Sequence, residues 1–154
     1  MCGKVQELIS DGLKVIKKFL KLNSWKDDYT EERTVELSKS ERDLIERWLV
    51  DILPVLDDWQ NIILSGKKYA LSDSGEETLN SIIKRLHSKK QLIFTEYELG
   101  FMIYWLNQVR KGLDGDFSNA EFILLLQIFE KFKNQLKESE MKETIEKIIE
   151  KIRC

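Results

Sequence analysis

Three stretches of the chain align without a gap: LSKSERDLIERWL (37–49), FTEYELGFMIYWL (94–106) and FSNAEFILLLQIF (117–129). Each runs apolar residue, Ser or Thr, two variable positions, Glu. That spacing is a capping box. The hydroxyl of Ser38, Thr95 or Ser118 accepts from the third helical amide, and Glu41, Glu98 or Glu121 reaches back to the cap's own N–H. Such a box dictates where a helix begins, so three helix starts are set at once. Phe94 with Leu99, and Phe117 with Phe122, are spaced as hydrophobic staples across the cap; Leu37 with Arg42 is not. SGEE at 74–77 is a fainter fourth copy. The repetition is read as convergence on good helix starts in preference to a duplicated helical hairpin.

The remaining chain agrees with helices. There is one proline and there are seven glycines in 154 residues, too few for a fold of many tight turns. Val5, Leu8, Ile9, Leu13, Ile16, Phe19 and Leu20 predict a first helix, ending near Asn23 and Ser24. From Trp25 to Leu37 the chain is polar and carries no stripe, so a mobile or partner-facing loop is expected. A second helix is predicted from about Ser38 to Ser65, kinked at Pro54, because its apolar stripe continues through the proline without a phase change. GKKYALSDSG reads as a loop. Leu79, Ile82, Ile83 and Leu86 define a short third helix, closed by SKKQ. The stretch at 94–113 is apolar around most of its circumference, as a helix surrounded by neighbours is. Met102 and its aromatics are packing, not a cofactor box.

The C-terminal end poses a geometric problem. Phe122, Leu125, Phe129, Phe132 and Leu136 share one helix face, whereas Met141, Ile145, Ile148, Ile149 and Ile152 fall roughly 150° away at about 100° per residue. One straight helix would aim two apolar stripes in nearly opposite directions. Either the chain breaks at KESE (137–140) and folds back, or the second stripe is covered by another chain. The phase reversal favours a protruding or swapped tail that pairs with a second copy.

The catalytic inventory is nearly empty. With one histidine (His87) and two cysteines at the extreme ends (Cys2 and Cys154), zinc sites built from those ligands are excluded, and a reducing, cytoplasmic setting is expected. DGDFSNAE (114–121) lacks the glycine and the terminal carboxylate of a calcium loop. Glu140, Glu143, Glu146 and Glu150 interleave with lysines and read as a solvated face. There is no glycine-rich phosphate loop and no serine nucleophile turn. FILLLQIF falls far short of the roughly 20 residues that cross a bilayer. The expectations are therefore no metal, no cofactor, no membrane and no enzyme.

Hydrophobic residues make up 42% of the chain and charged residues 34%, with 25 basic side chains against 27 acidic ones. That balance argues against a general polyanion binder. The segment 67–93 is nonetheless net positive and 38–66 net negative, which two adjoining helices attracting one another explain best. Read from sequence, the chain is a single all-α domain, a bundle of five to six helices spanning 1–154 with 137–154 as a candidate separate tail. Its leading function is a non-enzymatic protein–protein interaction module: an adaptor, inhibitor or complex subunit, acting as a homodimer or with a protein partner. The candidate contacts are Trp25 and Tyr29 in the polar loop, Trp25 as an exposed anchor, and Ile145, Ile148, Ile149 and Ile152 in the tail. The alternative is a small nucleic-acid-associated subunit using Lys84, Arg85, Lys89 and Lys90.

Overall fold

The computed structural model describes residues 24–52, 62–64, 67–69, 72–88 and 91–152. All three capping boxes form. Ser38 opens α1 (Lys39–Val50), Thr95 opens α3 (Glu96–Leu113) and Ser118 opens α4 (Asn119–Asn134), each with both reciprocal hydrogen bonds present. Two further helices among the described residues, α2 (Ser72–His87) and α5 (Glu140–Ile152), join them in a mostly helical bundle. Helix α3 is the central one: it packs against α1, α4 and α5, and its residues from Glu96 to Asn107 are buried apart from Glu98. The staple at Ser118 also closes, with the Phe117 and Phe122 rings stacked at 6.1 Å between centroids.

The boxes carry a charge signature. The carboxyls of Glu41 and Glu98 are pushed up by burial, but hydrogen bonds from Lys131 and the Ser38 amide, and from Arg85 and the Thr95 amide, outweigh it and leave both below the usual range. The Ser118 amide lowers Glu121 in the same direction. A folded-state pKa below the unfolded one gives stability that is present above the ordinary value of 4.5 and lost as pH falls through it to the folded value. The urea midpoint is therefore expected to fall below that pH. A chain carrying Glu41→Gln, Glu98→Gln and Glu121→Gln, whose amides still complete the boxes, should show a flatter acid limb. Parallel acid limbs for the two chains would remove the boxes from the acid response.

Several boundaries differ from the sequence reading. The second helix does not run to Ser65. It stops at Val50 with Asp51 as its C-cap, and Ile62–Leu64 is a strand, β2, paired antiparallel with β3 (Lys67–Tyr69) inside the expected loop. Pro54 and its expected kink lie outside the described residues, as do the first predicted helix, Trp59, Cys2 and Cys154.

The polar loop is also corrected. Within it, Glu32–Val35 forms β1, which pairs antiparallel with β4 (Leu92–Thr95) in the register Glu32↔Thr95 to Val35↔Leu92. The pairing continues into the first turn of α3, where the amides of Glu96 and Tyr97 donate to the carbonyls of Glu31 and Tyr29 at 2.9 and 3.0 Å. Those amides are among the four that a helix start leaves without an internal acceptor. The segment is held because it satisfies them.

The tail folds back. Helix α4 ends at Asn134, the chain turns through 135–139, and α5 packs on α3 and α4 of the same chain. Gly100 permits the close approach, since a Cβ there would lie 3.1 Å from Met141 Sδ. The Ser139 hydroxyl accepts from the Lys142 amide at 3.1 Å and so caps α5. Met141, Ile145, Ile149 and Ile152 are all buried within one core cluster. The expected protruding or swapped tail is thus replaced by an internal one, and its stripe points away from α4's because the turn reverses the chain between them.

Candidate functional site

Of the contact residues predicted from sequence, Trp25, Ile145 and Ile148 line one groove, and Tyr29, Ile149 and Ile152 are not among its described lining residues. It lies between the C-terminal half of α3 and the outer side of α5, with Trp25 at one wall, and encloses about 350 Å³. Trp25, Tyr104, Ile145 and Ile148 supply its apolar surface. Asn107, Gln108 and Thr144 supply neutral polar groups, and Arg110, Lys111, Lys147 and Lys151 its cations. Helical spacing explains the grouping on α5: Thr144, Ile145, Ile148 and Lys151 recur every three or four residues on one side. Ile149 and Ile152 face the interior instead.

Trp25 is not the exposed anchor expected from its polar surroundings. It retains 7% of its surface and meets Tyr29 edge to face, with ring centroids 5.9 Å apart. Tyr29 is partly buried against the core. Ile145 is almost fully enclosed and Ile148 only partly, so Ile148 is the tail residue that a ligand would touch. Burial pushes the Tyr104 phenol up, which keeps it neutral. Burial also lowers the Arg110 guanidinium, whose Nε donates to the neutral Asn107 Oδ1 at 3.1 Å. No carboxylate and no imidazole is among the described residues that line the groove.

No protein-family model, curated protein or solved structure matches this chain.

Of the four basic residues of the alternative reading, Lys84 and Arg85 are among the described residues. Arg85 is committed to the fold: its guanidinium pairs with Glu98, donates to the Ile93 carbonyl at 2.9 Å and lies 4.9 Å over the Phe94 ring. Lys84 is exposed. Lys89 and Lys90 lie outside the described residues. His87 Nε2 lies 2.6 Å from Glu46 Oε1 between α2 and α1. Among the described residues no group of three or more His, Cys, Asp or Glu side chains is arranged to hold a metal ion. No helix among them is long and apolar enough to cross a membrane.

Tyr104, Asn107, Arg110 and Lys147 were missed by the sequence reading. The first three belong to a helix read wholly as core. The available signal was the change of composition at NQVRKGL (107–113), where α3 turns polar as it leaves the interior.

Proposed function

We propose that this chain is a non-enzymatic binding module that captures a protein partner in the α3–α5 groove, in the manner of an adaptor, inhibitor or complex subunit. The observation that carries this reading is the convergence of Trp25, Ile145 and Ile148, drawn from opposite ends of the chain, on one concave surface. Its lining favours binding over chemistry. A buried neutral phenol, amides, a hydroxyl and permanently charged cations offer no general base near neutral pH. A partner other than a second copy is favoured, because the isoleucines that called for a self-partner already pack inside one chain. The nucleic-acid alternative is weaker, since Arg85 is engaged by Glu98 and the β4 carbonyl.

The test uses the wild-type chain and Ile148→Glu as paired baits in an extract of the native host, with nuclease treatment throughout. A protein retained by the wild type alone is then purified and its binding measured directly. Loss of at least about tenfold in affinity on Ile148→Glu, with the unfolding midpoint of the bait unchanged, is the expected result. Identical capture by both baits would remove the groove from the function.

A further inference from the structure

We infer that the outer edge of β1 receives an extended segment of a protein partner as a third strand, with Lys or Arg of that segment set against Glu32 and Glu36. β1 contributes none of the described residues that line the α3–α5 groove, so this surface stands independently of it.

The ladder shows which backbone groups are open. Along an antiparallel pair, residues alternately turn their N–H and C=O toward the partner strand and away from it. The Glu31 carbonyl accepts from the Glu96 amide at 2.9 Å, so Glu31 faces the β4 side. Alternation then turns Arg33 and Val35 toward β4, and Glu32 and Thr34 away from it. Ile93, opposite Thr34, agrees: its carbonyl is directed away from β1 and accepts from Arg85 at 2.9 Å. The two edges of this sheet differ. On β4, Arg85 takes the Ile93 carbonyl, and Glu98 Oε1 accepts from the Thr95 amide at 2.8 Å. On β1, Lys131 Nζ donates to the Glu36 carbonyl at 3.1 Å, just past the strand. The outward N–H and C=O of Glu32 and Thr34 meet no partner among the described residues. Both residues are exposed.

An edge of this kind selects its occupant. Donors and acceptors alternating at strand spacing are matched along their length by another extended backbone. The side chains choose which one. Glu32 and Thr34 share the solvent face of β1, and Glu36 is exposed just beyond its end. Glu31 is paired with Arg33 and Lys137, whereas neither the Glu32 nor the Glu36 carboxylate meets a cation among the described residues. Opposite charges across neighbouring strands stabilise the pair and like charges oppose it. Pairing β1 with β1 of a second copy sets these glutamates opposite or diagonal to one another. The acidic face thus guards the edge against self-association and admits a strand that carries Lys or Arg. It also repels a phosphate backbone.

The experiment pans a library of random dodecapeptides on the full chain and sequences the recovered pool. Lys or Arg at alternate positions, with β-branched or aromatic residues between them, is the expected enrichment. With a representative synthetic peptide bound, amide exchange followed by NMR should slow at Glu32 and Thr34. Thr34→Pro deletes an outward N–H and leaves the β1–β4 ladder intact, at an edge where a strand tolerates proline. It should lower affinity at least about tenfold by fluorescence anisotropy. Thr34→Val, which keeps the N–H, should recover most of that loss. Glu32→Lys with Glu36→Lys should weaken binding by a similar factor, as should raised salt on the wild type. Should Thr34→Pro prove unfolded, the wild-type exchange and the double charge variant decide. An empty pool, or binding that leaves the Glu32 and Thr34 amides exchanging as in the free chain, would overturn the edge as a site. Affinity that falls on Ile148→Glu and ignores Thr34→Pro would give the peptide to the groove and overturn the inference. Protection at the edge that is indifferent to the double charge variant would overturn the basic chemistry. Protection that arises in the free chain as its concentration and mass rise would give the edge to a second copy and overturn the partner.

Discussion

Exchange of Ile149 for aspartate is expected to unfold the chain globally. Ile149 lies on the inner side of α5 and keeps 2% of its surface, packed in the same cluster as Met141, Ile145 and the aromatics of α3 and α4. Truncating such a side chain costs about 2 to 5 kcal/mol. A carboxylate in its place adds the penalty of a charge with no partner, several kcal/mol more before it escapes by protonation or local opening. Against a typical total of about 5 to 15 kcal/mol, that loss leaves little folded protein, and circular dichroism in a urea series should show it. The contrast lies one residue away. Ile148 is only partly buried and faces the groove, so Ile148→Glu should leave the unfolding midpoint nearly unchanged. If Ile149→Asp stayed folded with only its hydrodynamic radius altered, α5 would belong to an assembly and not to this core.

The second large effect is expected at Glu96, a fully buried carboxylate that holds the α4–α5 turn in place. Its Oε1 accepts from the Lys137 amide at 2.7 Å and its Oε2 lies 3.5 Å from Arg33 Nη2. Arg33 in turn donates from Nε to the Gln135 carbonyl at 3.0 Å, so β1, α3 and the turn share one polar junction. Glu96→Ala removes the acceptor that the Lys137 amide and Arg33 share, at a cost on the order of 3 kcal/mol. Glu96→Gln keeps an acceptor for Lys137 and should cost clearly less. Because the junction anchors one end of α5, hydrogen exchange in Glu96→Ala should speed first in α5 and only later in α1. An Ala variant within about 0.5 kcal/mol of the wild type, inside the usual range for surface changes, would show that the turn is held by apolar packing of Leu136 and Met141 alone.

What the sequence by itself determined is local. The starts of α1, α3 and α4 were legible to the residue because a capping box closes within three positions and needs no tertiary partner. The central place of α3 was legible because an apolar circumference can be satisfied only by neighbours on every side. The conflict between the stripes of α4 and α5 was legible from helix geometry, and so was the need for something to resolve it.

The tertiary structure decided the rest. ERTV shows too little alternation to announce a strand; it becomes β1 because LIFT, some sixty residues later, and the open amides of α3 offer it hydrogen-bond partners. Trp25 stands among charged residues in sequence but is buried in space, since burial depends on which elements meet and not on chain neighbours. The fold-back of α5 was settled by a buried carboxylate on α3 and a glycine that admits Met141, neither of which signals its partner from sequence. The groove followed from that packing: its walls come from the last turns of one helix and the outer side of another, and they acquire a common chemistry only once the chain has reversed between them.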